Sequence, residues 1–192
     1  MKRVGVLALQ GDFAAHGEAL RRAGAEPVYV RHAADLADLD GLVIPGGEST
    51  TMLKLLRYDG LMEPLAEFAR RKPVFGTCAG AILMANQVSH PAQESFGLMD
   101  IAVERNGYGR QADSRVASIE PGADFERRTA PGPLEAVFIR APIIRSVGGS
   151  AQVLARYAGD PVLVEQGPHL AATFHPELTG DARVHRLFLE KL

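Results

Sequence analysis

Gly76-Thr77-Cys78-Ala79-Gly80 has the spacing of a nucleophile elbow, in which small neighbours let one side chain stand on a tight corner between a strand and a helix. A thiol on that corner faces the positive end of the helix dipole and the first free N–H groups, which suits a sulfur that must carry charge when it attacks. Cys78 is the single cysteine of the chain. A lone cysteine is by itself an ordinary small buried hydrophobe. The glycines on either side are what point to chemistry.

A nucleophilic thiol needs a base and something to orient it. His175-Pro176-Glu177 follows the apolar run Leu170 to Phe174, so a strand end can bring His175 to the sheet edge where Cys78 sits. Glu177 can then accept a hydrogen bond from the imidazole and fix its tautomer. His169 is the rival base, but it stands at the far end of the same strand. A metal reading fails for want of a second ligand at metal-site spacing. His16 and His32 are read as surface residues.

An oxyanion needs donors. Pro45-Gly46-Gly47-Glu48-Ser49-Thr50 follows the short apolar run Gly41 to Ile44, and its paired glycines can aim backbone N–H groups that other residues could not. An ordinary glycine-rich turn would look the same. A phosphate loop is disfavoured by the spacing and by Glu48, which would repel a phosphate. If the two strands are neighbours in a parallel sheet, the N–H groups of Gly47 and Ala79 can form an oxyanion hole beside Cys78. Two further stretches, Glu104 to Gln111 and Phe138 to Pro142, carry arginines able to hold a carboxylate through paired hydrogen bonds.

The supporting elements alternate. Arg3 to Leu9 reads as a buried strand, Asp12 as the cap of a helix from Phe13 to Ala23 closed by Gly24, and Glu26 to Val30 as a second strand. After Gly41 to Ile44, Ser49 or Thr50 is expected to cap a helix through Met52, Leu53, Leu55 and Leu56. A helix from Leu61 to Arg71 then leads into a strand from Pro73 to Thr77 and the elbow. From His90 to about Ala151 short strands with Pro and Gly punctuation are expected, with Asp124 to Pro133 as an exposed loop. Pro161 to Gln166 and Leu170 to Phe174 read as strands, and Asp181 to Leu192 as an amphipathic helix with Val184, Leu187, Phe188 and Leu192 inward. Strands alternating with helices argue for a parallel sheet covered on both faces.

The chain has 192 residues, 46% of them hydrophobic, which suits a single domain spanning residues 1–192. A net charge of -2 with a pI near 6.3 gives no electrostatic reason to expect nucleic acid or an anionic membrane as partner. No apolar run approaches the roughly 20 residues that span a bilayer, and the N-terminus lacks a signal-sequence pattern. One cysteine fits a reducing, cytoplasmic setting.

Taken together, the elbow, the Gly-Gly loop and the downstream His-Pro-Glu resemble the class I, triad-type glutamine amidotransferases. LALQGDF at Leu7 to Phe13, PGGESTT at Pro45 to Thr51, GTCAGA at Gly76 to Ala81, ERNGYGRQ at Glu104 to Gln111, FIRAP at Phe138 to Pro142 and FHPELT at Phe174 to Thr179 narrow the resemblance to the glutaminase subunits of pyridoxal 5′-phosphate synthases. Tyr108 stands where many relatives carry phenylalanine. The resemblance implies a flavodoxin-like three-layer α/β domain that hydrolyses L-glutamine and passes ammonia to a separate synthase subunit in a hetero-oligomeric complex for vitamin B6 synthesis. It implies Cys78 as nucleophile, His175 as general base and acid, and Glu177 as the orienting acid. Glutamine contacts are implied for Gly47, Glu48, Ser49, Arg105, Ile139 and Arg140, and neither a metal nor an organic cofactor is implied. It further implies that the free subunit is poorly active until docking completes the oxyanion hole, with the Gly46-Gly47 peptide as the element to be switched. Two alternatives stay open on sequence: another cysteine hydrolase, such as a γ-glutamyl hydrolase or the glutaminase of a different synthase, and a catalytically silent binding subunit with the same fold.

Overall fold

The computed structural model describes residues 1–106 and 114–192. Tyr108, and with it the stretch 107–111 of the Glu104 to Gln111 motif, lies outside the described residues. The chain opens with β1 (Arg3–Leu7), α1 (Phe13–Ala23), β2 (Glu26–Val30), β3 (Gly41–Ile44), α2 (Ser49–Tyr58), α3 (Met62–Arg71), β4 (Val74–Thr77) and α4 (Ala79–Met84). It continues through β5 (Ala85–Ser89), β6 (Met99–Glu104), β7 (Arg115–Ile119), α5 (Ala123–Arg128), β8 (Leu134–Phe138) and β9 (Ile143–Val147). The last elements are β10 (Gln152–Tyr157), β11 (Asp160–Gln166), β12 (His169–Ala172) and α6 (Arg183–Leu189).

Among the described residues the central sheet has seven strands in the order β10-β11-β12-β4-β3-β1-β2. The run from β12 to β2 is parallel, and β10 and β11 extend it antiparallel. Alternate side chains on these strands feed two separate cores. Leu42, Ile44, Val74 and Ala171 join α2, α3 and α4 on one face, whereas Val43, Phe75, Leu170 and Ala172 meet α1 and α6 on the other. This is the three-layer α/β arrangement expected from the alternation of strands and helices, and its period-two split is what burial on both faces demands. A small sheet, β5-β6-β9, and a two-stranded ribbon, β7-β8, complete it.

Local chemistry sets the boundaries. The Asp12 side chain caps α1 by accepting from Ala15 N–H, and Gly24, at φ 99°, closes it in the left-handed conformation. The cap of α2 differs from expectation: Glu48, not Ser49 or Thr50, accepts from the N–H groups of Thr50 and Thr51. A carboxylate there adds a favourable charge to the same helix end. The expected loop from Asp124 to Pro133 instead begins with α5, because Phe125 is fully buried and the flanking charges run acidic first, basic last. The final helix is shorter than its apolar pattern, with the Asp181 carboxylate accepting from Arg183 N–H at its start, 2.9 Å. Val184, Leu187 and Phe188 face inward as expected, and Leu192 packs against the same core half-buried.

The glycines of the elbow are sterically required. A Cβ on Gly80 would lie 2.0 Å from the Ile44 carbonyl oxygen, because α4 starts directly against the end of β3. Gly80→Ala is expected to cost about 2–3 kcal/mol or more, as overpacking at a site that cannot give way. Gly180→Ala, where a Cβ would meet nothing within 4 Å, is expected to change stability by no more than about 0.5 kcal/mol. Urea unfolding midpoints of the two variants check the contrast.

Candidate active site

β3 and β4 are parallel neighbours, with Ile44 paired to Gly76, and β4 and β12 are parallel neighbours, with Thr77 paired to Ala172. The carboxyl ends of three adjacent strands therefore open at one edge, where crevices form in such sheets. The Gly46-Gly47 loop leaves β3, Cys78 leaves β4, and His175 follows β12 by three residues. Proximity predicted from the motifs is thus produced by strand order.

Cys78 sits at φ 50°, ψ -108°, a conformation that non-glycine residues adopt only when surroundings enforce it. Its N–H donates to the Ala172 carbonyl at 2.9 Å, and its own carbonyl accepts from Ile82 N–H at 3.2 Å. These bonds tie the corner to β12 and to α4. The thiol points toward the Ile139 carbonyl oxygen at 3.8 Å. Ala79 is the first residue of α4, so its N–H belongs to the group that a helix start leaves free.

His175 is 7% exposed, and its Nδ1 lies 2.7 Å from Glu177 Oε1. The His175 backbone N–H donates to the Val137 carbonyl at 2.8 Å, so strand β8 holds this residue from a second side. Burial alone would lower the imidazole pKa, but hydrogen bonds to Cys78 and to Glu177, with the charges behind them, push it up to about 10. A Cβ on Gly46 would lie 2.6 Å from His175 Cε1 and 3.3 Å from Cys78 Cβ. The loop backbone is therefore laid directly over these two side chains.

Gly47 has φ 133°, and the Gln10 side chain lies where its Cβ would be. The Gln10 amide holds this loop from both sides, donating to the Glu48 carbonyl at 3.2 Å and accepting from Glu48 N–H at 3.3 Å. At the start of α2, Glu48 is partly desolvated, which raises its pKa. Hydrogen bonds from the Thr51 hydroxyl and the Thr51 and Thr50 N–H groups outweigh that and bring it to about 2. Arg105 donates to Thr50 Oγ1 at 2.8 Å and reaches Glu48 Oε1 at 3.3 Å. Ser49 is buried and donates to Gln93 Oε1 at 3.1 Å. Ile139 touches the thiol through its carbonyl, and the next residue, Arg140, is exposed at a left-handed φ of 45°.

The structure thus gathers Cys78, His175, Glu177, the Gly46-Gly47 loop and Ile139 around one point, with Glu48, Ser49 and Arg105 clustered at the adjoining helix start. His32 is exposed as expected, but His16 is not a surface residue: it is fully buried on α1, behind Glu177. Phe13, His16 and Leu20 share one helical face, so spacing marked the position as inward. The polar side chain concealed it. Gln10 also escaped the sequence reading, although it lies within the LALQGDF motif. His169 is buried at the other end of β12 and accepts from Val74 N–H at 3.2 Å, a structural role. Among the described residues, no group of His, Cys, Asp and Glu could hold a metal ion, and no helix is long and apolar enough to cross a membrane.

Opposite pKa shifts bound the pH range of stability. His175 is protonated more readily in the folded than in the unfolded chain. Its contribution is complete below the ordinary histidine value near 6.5 and is lost as pH rises toward about 10. His185 is shifted the other way, to about 3, chiefly by burial and then by Arg22. Its contribution is complete above about 6.5 and is lost as pH falls. Unfolding free energy is expected to peak near pH 6.5, and Glu177→Gln is expected to flatten the alkaline decline selectively. Urea titrations across pH check both limbs.

The chain matches the SNO glutamine amidotransferase family over residues 6–192. It is 70% identical over 192 residues to the "Pyridoxal 5'-phosphate synthase subunit PdxT" of Solibacter usitatus (strain Ellin6076), covering 100% of both chains. It is 55% identical over 191 residues to the protein of the same name from Koribacter versatilis (strain Ellin345), covering 98% of this chain and 94% of that one. A solved structure described as "Crystal structure of glutamine amidotransferase" superposes with a TM-score of 0.88 at 46% identity, covering 98% of this chain and 97% of that chain. At 18% identity, a chain of the "Structure of PurLQS from Thermotoga maritima" shares the fold with a TM-score of 0.69, covering 98% of each. With its sheet, elbow and loop arranged as described, the chain belongs to the SNO glutamine amidotransferase family.

Proposed function

We propose that this chain hydrolyses L-glutamine to L-glutamate and ammonia through a thioester on Cys78, and that it delivers the ammonia to a pyridoxal 5′-phosphate synthase subunit. The observation that carries the reading is the buried line from Cys78 through His175 to Glu177, at the sheet edge where three parallel strands end.

The thiolate attacks the side-chain amide carbon, and the carbonyl electrons move onto oxygen. That oxyanion is received by the N–H groups of Gly47 and Ala79, of which a single donor is typically worth roughly 100 to 1000-fold in rate. The carbon–nitrogen bond then breaks as His175 gives its proton to the leaving nitrogen, and ammonia departs. His175, now neutral, takes a proton from water, whose oxygen attacks the thioester, and glutamate leaves as sulfur regains its electrons. Glu177 keeps the imidazole turned so that Nε2 faces the sulfur and the substrate.

Glutamine is held by the backbone of Gly47, by Glu48 and Ser49 at the start of α2, by Arg105 and by the Ile139-Arg140 pair. Arg105 already contacts Thr50 and Glu48, so it is pre-oriented for a carboxylate. Docking on the synthase subunit sets the orientation of the Gly46-Gly47 peptide, which glycine permits at little steric cost. The need to keep Cys78 a free thiol suits a reducing, cytoplasmic setting.

Ammonia release from glutamine is expected to rise when purified chain is mixed with a pyridoxal 5′-phosphate synthase subunit and to vanish in Cys78→Ala. Glu177→Gln is expected to lose up to about 10,000-fold in kcat, the scale seen when a triad acid becomes its amide. Activity indifferent to the synthase subunit would remove the partner while leaving the glutaminase. Activity that persists in Cys78→Ala would remove the thioester.

A further inference from the structure

Behind the triad lies a second line of buried polar groups that the mechanism above does not use. The Glu177 side chain is fully buried, and with Oε1 on His175 its other oxygen, Oε2, has no hydrogen bond of ordinary geometry. A bare carboxylate oxygen in a dry interior is costly. His16 Nε2 stands 3.4 Å from it and 3.0 Å from the hydroxyl of Thr77, the residue that precedes the nucleophile. On its other side, His16 Nδ1 lies 3.1 Å from His185 Nε2, on α6, and His185 Nδ1 is buried without a partner.

Two tautomer patterns fit these nitrogens. In one, His16 Nδ1–H donates to His185 Nε2, Thr77 donates to His16 Nε2, and a lone pair faces the Glu177 carboxylate. That leaves an anionic oxygen opposed by another acceptor and a buried N–H on His185 without an acceptor. In the other, His185 Nε2–H donates to His16 Nδ1, and His16 Nε2–H points into the space between Thr77 Oγ1 and Glu177 Oε2. Only a lone pair on His185 Nδ1 then goes unanswered, the smaller loss.

Resting on the reading of Glu177 as the triad acid, we propose that His16 is a positioning residue for catalysis, a neutral Nε2–H tautomer that holds the outer oxygen of Glu177 and so fixes the carboxylate that orients His175. The same side chain joins the strand that carries the nucleophile, through Thr77, to the turn that carries the acid. Its neutrality has a cause in its surroundings. Burial comes first, then the neighbouring His185 and His175, and together they keep its pKa well below the ordinary histidine value. His185 is itself kept neutral by burial and by Arg22. The facing groups are therefore His175 and Glu177 ahead, Thr77 beside and His185 behind, and the negative charge stays on Glu177, where His175 needs it.

The test has two arms. Long-range proton–nitrogen correlation spectra of the ¹⁵N-histidine-labelled chain read the tautomers directly, independent of activity. His16 is expected as neutral Nε2–H at neutral pH, and an Nδ1–H tautomer or an imidazolium there overturns the proposal. The second arm measures glutamine hydrolysis with the synthase subunit present. His16→Leu is expected to lose about 10 to 100-fold in kcat with KM for glutamine nearly unchanged, by analogy with outer-shell partners of metal ligands. The alkaline limb of its pH profile should also move to lower pH as His175 loses a fixed partner. His16→Gln, whose amide nitrogen reaches the Nε2 position, is expected to recover most of the rate. Equal losses in the two variants, or wild-type kcat in a folded His16→Leu, overturn it. If His16→Leu does not fold, the tautomer decides. Wild-type protein with no glutaminase activity would instead strike the proposed function, leaving the tautomer measurement standing as a distinct result.

Discussion

The conformation of Cys78 is the constraint on which the remaining structure depends. A side chain at φ 50° and ψ -108° costs on the order of 1–3 kcal/mol, and only surroundings that over-determine it keep it there. Those surroundings can be named. Ala172 on β12 takes the Cys78 N–H, α4 begins at once on the far side, and Gly76 and Gly80 let the strand, the helix and the end of β3 approach where any Cβ would collide. The sheet order β12-β4-β3 follows as a requirement: the elbow needs a parallel neighbour on each side, one bringing His175 and the other the glycine loop. Both cores serve this arrangement, since the strand bearing Cys78 contributes Val74 to one face and Phe75 to the other.

Around this corner the polar groups divide by dielectric. His175, Glu177, His16 and His185 are all buried, where charges and dipoles act strongly and unpaired groups are costly. The opposite shifts of neighbouring imidazoles follow from position alone. His175 lies between a thiol and a carboxylate and keeps its proton, whereas His185, buried and then opposed by the charge of Arg22, gives its proton up. By contrast, the Glu48, Thr50, Arg105 cluster is open to water on one side. There the carboxylate owes its stability to hydrogen bonds from a helix start, and Arg105 adds a contact worth less. A dry line of polar groups thus stands beside a wetter, charged rim.

Much of this was legible in the residues. The boundaries of α1, β2 and β3 follow from Asp12, Gly24 and the apolar runs, because caps and two-sided burial leave local marks. Cys78, His175 and Glu177 were legible for a related reason: an elbow requires glycines at fixed offsets, and a histidine two residues from a carboxylate is a local pattern. The cap of α2 is not legible from cap preference, because the helix already begins at Ser49, which puts Ser49 and Thr50 inside its first turn and leaves the cap position to Glu48. Helix α5 was hidden by Pro and Gly on both sides, and its reason for forming, the burial of Phe125, lies in contacts with distant strands.

The sequence by itself determined the order of elements and singled out Cys78, His175, Glu177 and the glycine loop, since each is written in spacing within a few residues. Tertiary structure alone decided that Gln10 clamps the loop and that His16 stands behind Glu177, with His185, 169 residues away, against it. The physical reason is that burial of a polar side chain is set by which helices pack together, here α1 and α6 on the same face of the sheet. Its tautomer and charge follow from partners that no local pattern names.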